Sequence, residues 1–176
     1  MAVNPWPRDN PAPPCRLAPF EPRWAESIVS WVQDAQEAYW LAPKTRPPLT
    51  PTSVVRWRQP DHDPYMLLAT EREEPVAYGE LNRMTAPPRH YWLGHLIVDP
   101  AWRGRGCGVQ LTRLLLREAF EVRGARRVTL VVFPENRRAL ACYRAAGMHD
   151  DGYEWHSFPV FGTRECLVRL AAMRLV

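Results

Sequence analysis

The order of apolar patterns along this chain predicts an α/β fold in a single domain, and two strand-turn-helix units carry that reading. In the first, the apolar run Tyr91-Trp92-Leu93-Gly94-His95-Leu96-Ile97-Val98 passes through a glycine-rich turn into a helix on which Leu111, Leu114, Leu115 and Phe120 recur near helical spacing. In the second, the buried-strand run 127–133 is ended by Pro134-Glu135-Asn136. A helix from Arg137 to Ala146 follows, with Gly147 as its stop. Size agrees: 176 residues, 46% of them hydrophobic and 8 of them Trp, suffice for one core.

The remaining elements follow in chain order. Prolines at 5, 7, 11, 13 and 14 predict a loosely ordered leader over residues 1–14, unlike the apolar helix of a signal peptide, and leave 15–176 to the domain. Residues 15–20 suit a short first strand. Pro22 suits a helix start, and Trp24, Ile28, Trp31, Val32, Ala35 and Tyr39, at steps of three and four, predict one amphipathic helix reaching Trp40. Thr50-Pro51 reads as the cap and first residue of a short helix through Val54, Val55 and Trp57. Asp61-His62-Asp63-Pro64 reads as a turn rather than a metal site. The runs 65–70 and 75–83 form a hairpin across the charged segment 71–74. The helix after the glycine-rich turn extends to about Val122, where Gly124 stops it, and strands at 152–158 and 165–175 complete the chain.

Charge and cysteines narrow the partners. The net charge of +4 is almost purely arginine, Lys44 being the only lysine; it is too modest and scattered for nucleic acid and suits an anionic small ligand. Cys15, Cys107, Cys142 and Cys166 lie far apart, without a Cys-x-x-Cys pair or a His at ligand spacing, which predicts free thiols in a reducing cytoplasm and no metal. No apolar run approaches the ~18 residues of a membrane span.

The glycine-rich turn is where chemistry enters. Glycines at 104, 106 and 108 let the backbone approach a ligand closely and turn successive N–H groups inward. With the open N–H groups of the helix start they make a phosphate site. A P-loop would need a Lys after the glycines, and a dinucleotide fingerprint would need glycine where Val109 stands.

Arg103-Gly104-Arg105-Gly106-Cys107-Gly108 fits [Arg/Gln]-x-x-Gly-x-[Gly/Ala]. Downstream, Asn136-Arg137-Arg138-Ala139-Leu140-Ala141-Cys142-Tyr143-Arg144-Ala145-Ala146-Gly147-Met148 fits Asn-x-x-Ala-x-x-x-Tyr-x-x-x-Gly-[Phe/Met]. In that order and spacing the two motifs resemble the GNAT superfamily of acyl-CoA-dependent N-acyltransferases, and the match of elements runs from about residue 15 to the C-terminus. The resemblance implies the GNAT fold, a mixed central sheet with helices on both faces, and acetyl-CoA as acyl donor. It implies that Arg103, Gly104, Arg105, Gly106, Cys107, Gly108 and Val109 hold the pyrophosphate. The pantetheine arm would lie between two splayed central strands, against the main chain of Leu96, Ile97 and Val98. Asn136, Ala139 and Tyr143, at i, i+3 and i+7, share the helix face that looks into that cleft. A backbone N–H near Val98 would stabilise the oxyanion, and Tyr143 would protonate the departing thiolate. Plainer roles compete: Asn136 as a helix cap, Tyr143 as core packing.

A general base is absent from the two places the resemblance suggests, which here hold Val131 and Trp92. Glu80, a charge inside a strand run and so in need of a partner or a wet cleft, is the first candidate; His95 is the second, and a relayed water is the third. Tyr39, Trp40, Tyr91, Trp92, Tyr153, Trp155 and Phe158 fall in segments that border the acceptor in such proteins, with Trp57 beside them. The expected activity is therefore transfer of an acetyl group from acetyl-CoA to a primary amine, by direct attack in a ternary complex. A small-molecule amine is preferred to a protein N-terminus or lysine. A non-catalytic acyl-CoA-binding or interaction module is the rival. No nucleic-acid or membrane partner is expected, and the cytoplasmic chain would be a monomer or homodimer.

Overall fold

The computed structural model describes residues 12–174, so most of the expected leader, residues 1–11, lies outside the described residues. In order come β1 (Cys15–Pro19), a 3-10 turn (Pro22–Trp24), α1 (Ala25–Ser30), α2 (Ala35–Leu41), α3 (Pro51–Arg56), β2 (His62–Ala69), β3 (Glu74–Arg83) and β4 (His90–Val98). Then follow α4 (Cys107–Arg117), β5 (Arg127–Val132), α5 (Arg137–Ala145), β6 (His149–Phe158) and β7 (Thr163–Met173). The strands form one seven-stranded sheet in the order β1-β2-β3-β4-β5-β7-β6. Every neighbouring pair is antiparallel except β4 with β5, so the sheet is mixed as expected.

Strand periodicity divides the core between the two faces. On β2, Tyr65, Leu67 and Ala69 pack with Leu111 and Leu115 of α4 and Leu140 of α5, while Met66 and Leu68 pack with Ile28 of α1 and Val54 of α3. A smaller cluster of Phe133, Phe158 and Leu167 receives Tyr39 and Trp40 of α2. Helices thus cover both faces.

Two local expectations are corrected. The single helix from Pro22 to Trp40 is broken at 31–34, because Asp34 starts a new one: its Oδ1 accepts the Glu37 N–H at 2.8 Å, and Glu37 Oε2 accepts the Gln33 N–H at 3.0 Å. The pattern Asp34-x-x-Glu37 is an N-terminal cap signature that outweighs the continuing apolar stripe. His62, Asp63 and Pro64 belong to β2 rather than to a turn, paired with Asn82, Leu81 and Glu80. As expected, the helix that begins as α4 continues to Val122, its last stretch Glu118–Val122 being a wider turn, and stops before Gly124 at φ +65°.

One irregularity creates the site. The parallel pairing of β4 with β5 lasts only from His90↔Arg127 to Trp92↔Thr129. Beyond it the strands part, and their main chains face an open notch.

Candidate active site

The notch widens into a cleft of about 840 Å³, walled by the later residues of β4, by residues 130–133 and by α5. At one end lies the glycine-rich loop. Gly104 and Gly106 adopt φ of +76° and +89°, angles that side chains resist, and Gly106 precedes the first turn of α4. The first bond within that helix runs from Gln110 N–H to Gly106 C=O at 3.0 Å, which leaves the N–H groups of 107–109 at its open end. Gly108 is needed for another reason: a Cβ there would lie 2.9 Å from Cys142 Sγ on α5. The loop therefore offers main chain, and several of its side chains are turned to other work. Cys107 and Val109 are buried in the core, and Arg105 lies over the Trp102 ring at 5.0 Å. Arg103 donates to Glu37 Oε1 at 2.6 Å, to Trp31 C=O at 2.9 Å and to Val98 C=O at 3.0 Å, so its guanidinium ties the loop to the α1–α2 connection.

Leu96, Ile97 and Val98 border the cleft from β4; Asn136, Ala139, Cys142 and Tyr143 border it from α5. Asn136 caps its helix, its Oδ1 accepting the Ala139 N–H at 3.2 Å, and this leaves the side-chain NH₂ without a protein partner among the described residues. Tyr143 is half-buried. Desolvation, and then the neighbouring Cys142, push its hydroxyl above the ordinary tyrosine range, so it stays protonated.

Farther along β4 the structure brings Glu80 and His95 together. Between Tyr78↔Ile97 and Glu80↔Gly94 the fourth strand carries one extra residue, a bulge, and within it His95 sits at φ +47°. That strained backbone turns the ring to Glu80, with Nδ1 2.8 Å from Oε1. Glu80 is fully buried and also accepts from Tyr78 Oη at 2.7 Å and Asn82 Nδ2 at 3.1 Å; His62 Nδ1 stands 3.8 Å from Oε2. Burial alone would raise its pKa. The charge of His95 and the hydrogen bonds from His95, Asn82 and Tyr78 outweigh that and hold the carboxyl below its ordinary value. An ionised carboxylate only accepts, so the His95 Nδ1 carries the hydrogen toward Glu80, and in the neutral ring it is Nε2 that has the lone pair. The other face of the ring is covered by Trp57, stacked at 4.1 Å and 7°, whose indole donates to Thr45 Oγ1 at 2.9 Å.

The expected aromatic wall is partly present. Trp40, Trp57, Trp92 and Phe158 line the cleft. Tyr91 faces the core, and Tyr39 packs against Phe133 and Phe161. Tyr153 and Trp155 point out of the opposite face of β6, 72% and 62% exposed, with Arg164 over the Trp155 ring. Alternation on β6 instead turns Glu154 and His156 into the cleft, which the sequence reading missed. Strand period 2 counted back from Phe158 was the available signal. Among the described residues, no group of three His, Cys, Asp or Glu is placed to hold a metal ion, and no helix is long and apolar enough to cross a membrane.

A mixed sheet notched beside a glycine-rich loop at a helix N-terminus is the acyl-CoA N-acyltransferase class of fold, and solved structures share it. Spermidine N-acetyltransferase from Vibrio cholerae, in complex with CoA and spermine, aligns with a TM-score of 0.73 and 15% identity over 90% of this chain and 95% of that one. Aminoglycoside acetyltransferase AAC(6')-Ib, in complex with ribostamycin and coenzyme A, aligns with a TM-score of 0.73 and 19% identity over 91% and 93%. Residues 25–148 match the model of the Acetyltransferase (GNAT) family, and the chain belongs to that family. Among curated proteins it is 36% identical over 88 residues to N-alpha-acetyltransferase RimI of Mycobacterium tuberculosis, 49% of this chain and 53% of the relative. It is also 35% identical over 98 residues to the uncharacterized protein ML0378 of Mycobacterium leprae, 55% of this chain. The chain spans about half the length of the first relative and 26% of the second.

Proposed function

We propose that the chain is an acetyl-CoA-dependent N-acetyltransferase that acts on a primary amine by direct attack in a ternary complex. The pairing of buried Glu80 with His95, which lines the cleft, carries the reading, because a proton acceptor held at one half of a cleft whose other half binds phosphate is what an amine acyl transfer requires. The loop N–H groups hold the pyrophosphate, and the parted strands offer main-chain groups to the pantetheine amides, with the Asn136 NH₂ beside them. His95 Nε2 takes the proton from the attacking amine as the new C–N bond forms, and Glu80 and Trp57 position the ring and stabilise its charge. As the C–S bond breaks, Tyr143 delivers its proton to the thiolate. The two side chains reset through solvent. Glu80 is thus a positioning residue and His95 the base, which reverses the order of preference drawn from the sequence.

Family membership supports CoA as the donor, and the related proteins support an amine acceptor. One relative is an N-alpha-acetyltransferase, and two structural neighbours are complexes with spermine and ribostamycin. The Trp40, Trp57 and Trp92 walls favour a small amine on an apolar or flat body. Acetyl-CoA should raise the melting temperature, with free thiol released when a suitable amine is added. In Tyr143→Phe, turnover should fall about 10²-fold with acetyl-CoA affinity nearly unchanged. Wild-type turnover in that variant would return Tyr143 to packing, and stabilisation without thiol release on any amine would favour the non-catalytic module.

A further inference from the structure

We infer that the acceptor is a small amine that also carries an anionic group, a carboxylate or a phosphate; this rests on the acetyl-transfer reading above. The two segments that build the acceptor half, residues 38–60 and 81–98, contain Lys44, Arg46, Arg56, Arg58, Arg83 and Arg89 and not one Asp or Glu. Three of these cations, Lys44 from the α2–α3 connection, Arg56 from the end of α3 and Arg83 from the end of β3, line the cleft. Among the described residues no salt bridge engages any of the three, although Arg103, Arg123, Arg127, Arg144 and Arg169 all have carboxylate partners.

The carboxylates of the cleft are already committed. Glu37 is held by Arg103, and Glu80 is buried against His95. Glu154 lies 3.0 Å from His156 and 3.4 Å from Arg169. Asp61, beside the cleft, meets Arg83 only through its carbonyl, which accepts the Arg83 N–H at 2.8 Å. An acceptor with several ammonium groups would thus meet uncompensated positive charge, whereas an anion would be paired by guanidinium forks.

Arg83 is also too far away to serve the CoA phosphates. Arg83 pairs with Tyr91, seven residues before Val98, and at ~3.3 Å per residue that is about 20 Å from the phosphate loop. The amine to be acetylated would lie at His95, with its anionic group toward Arg56 and Arg83 and its apolar body on Trp57 and Trp92.

Paired acceptors test this. Thiol release from acetyl-CoA is measured on phenylalanine against phenylalaninamide, leucine against leucinamide, and phosphoethanolamine against ethanolamine, with spermidine and a neutral hexapeptide as further acceptors. We expect kcat/KM for at least one anionic member to exceed that of its neutral partner tenfold or more, and the pair concerned tells carboxylate from phosphate. Arg83→Glu and Arg56→Glu should each cut that ratio at least tenfold. In the CoA-bound protein, tryptophan fluorescence should respond to the anionic partner at lower concentration than to the neutral one. Better transfer to the neutral partners, to spermidine or to the peptide overturns the inference and leaves the acetyltransferase reading intact, as does an unchanged ratio in both variants. Transfer to no acceptor at all overturns the catalytic reading and this inference with it.

Discussion

Glu80 and His95 show how two residues acquire roles that neither has alone. A buried carboxylate with one partner would be costly, and with three donors it becomes a fixed anion that dictates the tautomer of its histidine. The sequence marked Glu80 because a charge in an apolar strand run demands an explanation. The sequence could not show the geometry on which the proposed ranking of His95 above Glu80 rests, a bulge that re-aims one ring and partners at 57, 78 and 82 that come from two other elements. A pH experiment and a rate measurement separate the two roles. The Glu80 carboxyl is held below the ordinary 4.5 in the folded protein. A depressed folded value stabilises the fold above the ordinary value, and that contribution is lost as pH falls through the folded one. The wild-type melting temperature should therefore drop between about pH 5 and pH 3, while Glu80→Gln starts lower at neutral pH and changes less over that interval. Equal slopes would remove Glu80 from the acid-sensitive set. In His95→Gln, kcat/KM should fall about 10²-fold with acetyl-CoA affinity nearly unchanged, whereas wild-type turnover would hand the proton to a relayed water.

At the level of elements, the break between α1 and α2 is what lets the loop be held. The cap at Asp34 starts α2 so that Glu37 projects to Arg103, and the released Trp31 carbonyl takes the second arm of the same guanidinium. An uninterrupted helix, as the apolar stripe suggested, would have spent that carbonyl inside the helix. The cap was legible in Asp34-x-x-Glu37; its consequence was not, because it joins residues 66 positions apart in the chain. Arg103 anchors the loop through its side chain, and in the proposed function the phosphates are met chiefly by the main-chain N–H groups beside it. With both partners mostly shielded, Arg103→Met should cost about 2 kcal/mol in urea unfolding, on the scale of charge-assisted hydrogen bonds, and weaken acetyl-CoA binding severalfold. Arg103→Lys should restore little, since an ammonium cannot span a carboxylate and two carbonyls at once. Full stability in the lysine variant would reduce the tie to simple charge pairing.

Over the whole molecule, the sheet consists of two halves, β1–β4 and β5–β7, joined by a three-residue parallel seam and by helices that pack across both. The mixed sheet, the helices on both faces and the place of the notch were legible only through the family resemblance that the two motifs carry, since motif order alone does not say which strands are neighbours. Which aromatic rings face the cleft was not legible. On β6 the choice between Trp155 outward and His156 inward depends on a register fixed by Trp155↔Cys166 and His156↔Glu165, pairings that local periodicity does not specify. The short seam has a dynamic consequence. Main-chain groups of β4 beyond Trp92 that point toward β5 lack a strand partner, although the same strand is bonded to β3 on its other edge. Hydrogen exchange in the free protein should therefore be uneven along 93–98, fast for amides facing the notch and slow for those facing β3. A donor whose pantetheine arm pairs with the notch would act as an added strand and close both halves around itself. Saturating acetyl-CoA should then slow the fast amides of 93–98 selectively, together with those of 106–109 at the loop. Uniform slowing across the whole sheet, with no excess at the notch, would mean that the donor stabilises the fold without occupying the gap between its two central strands.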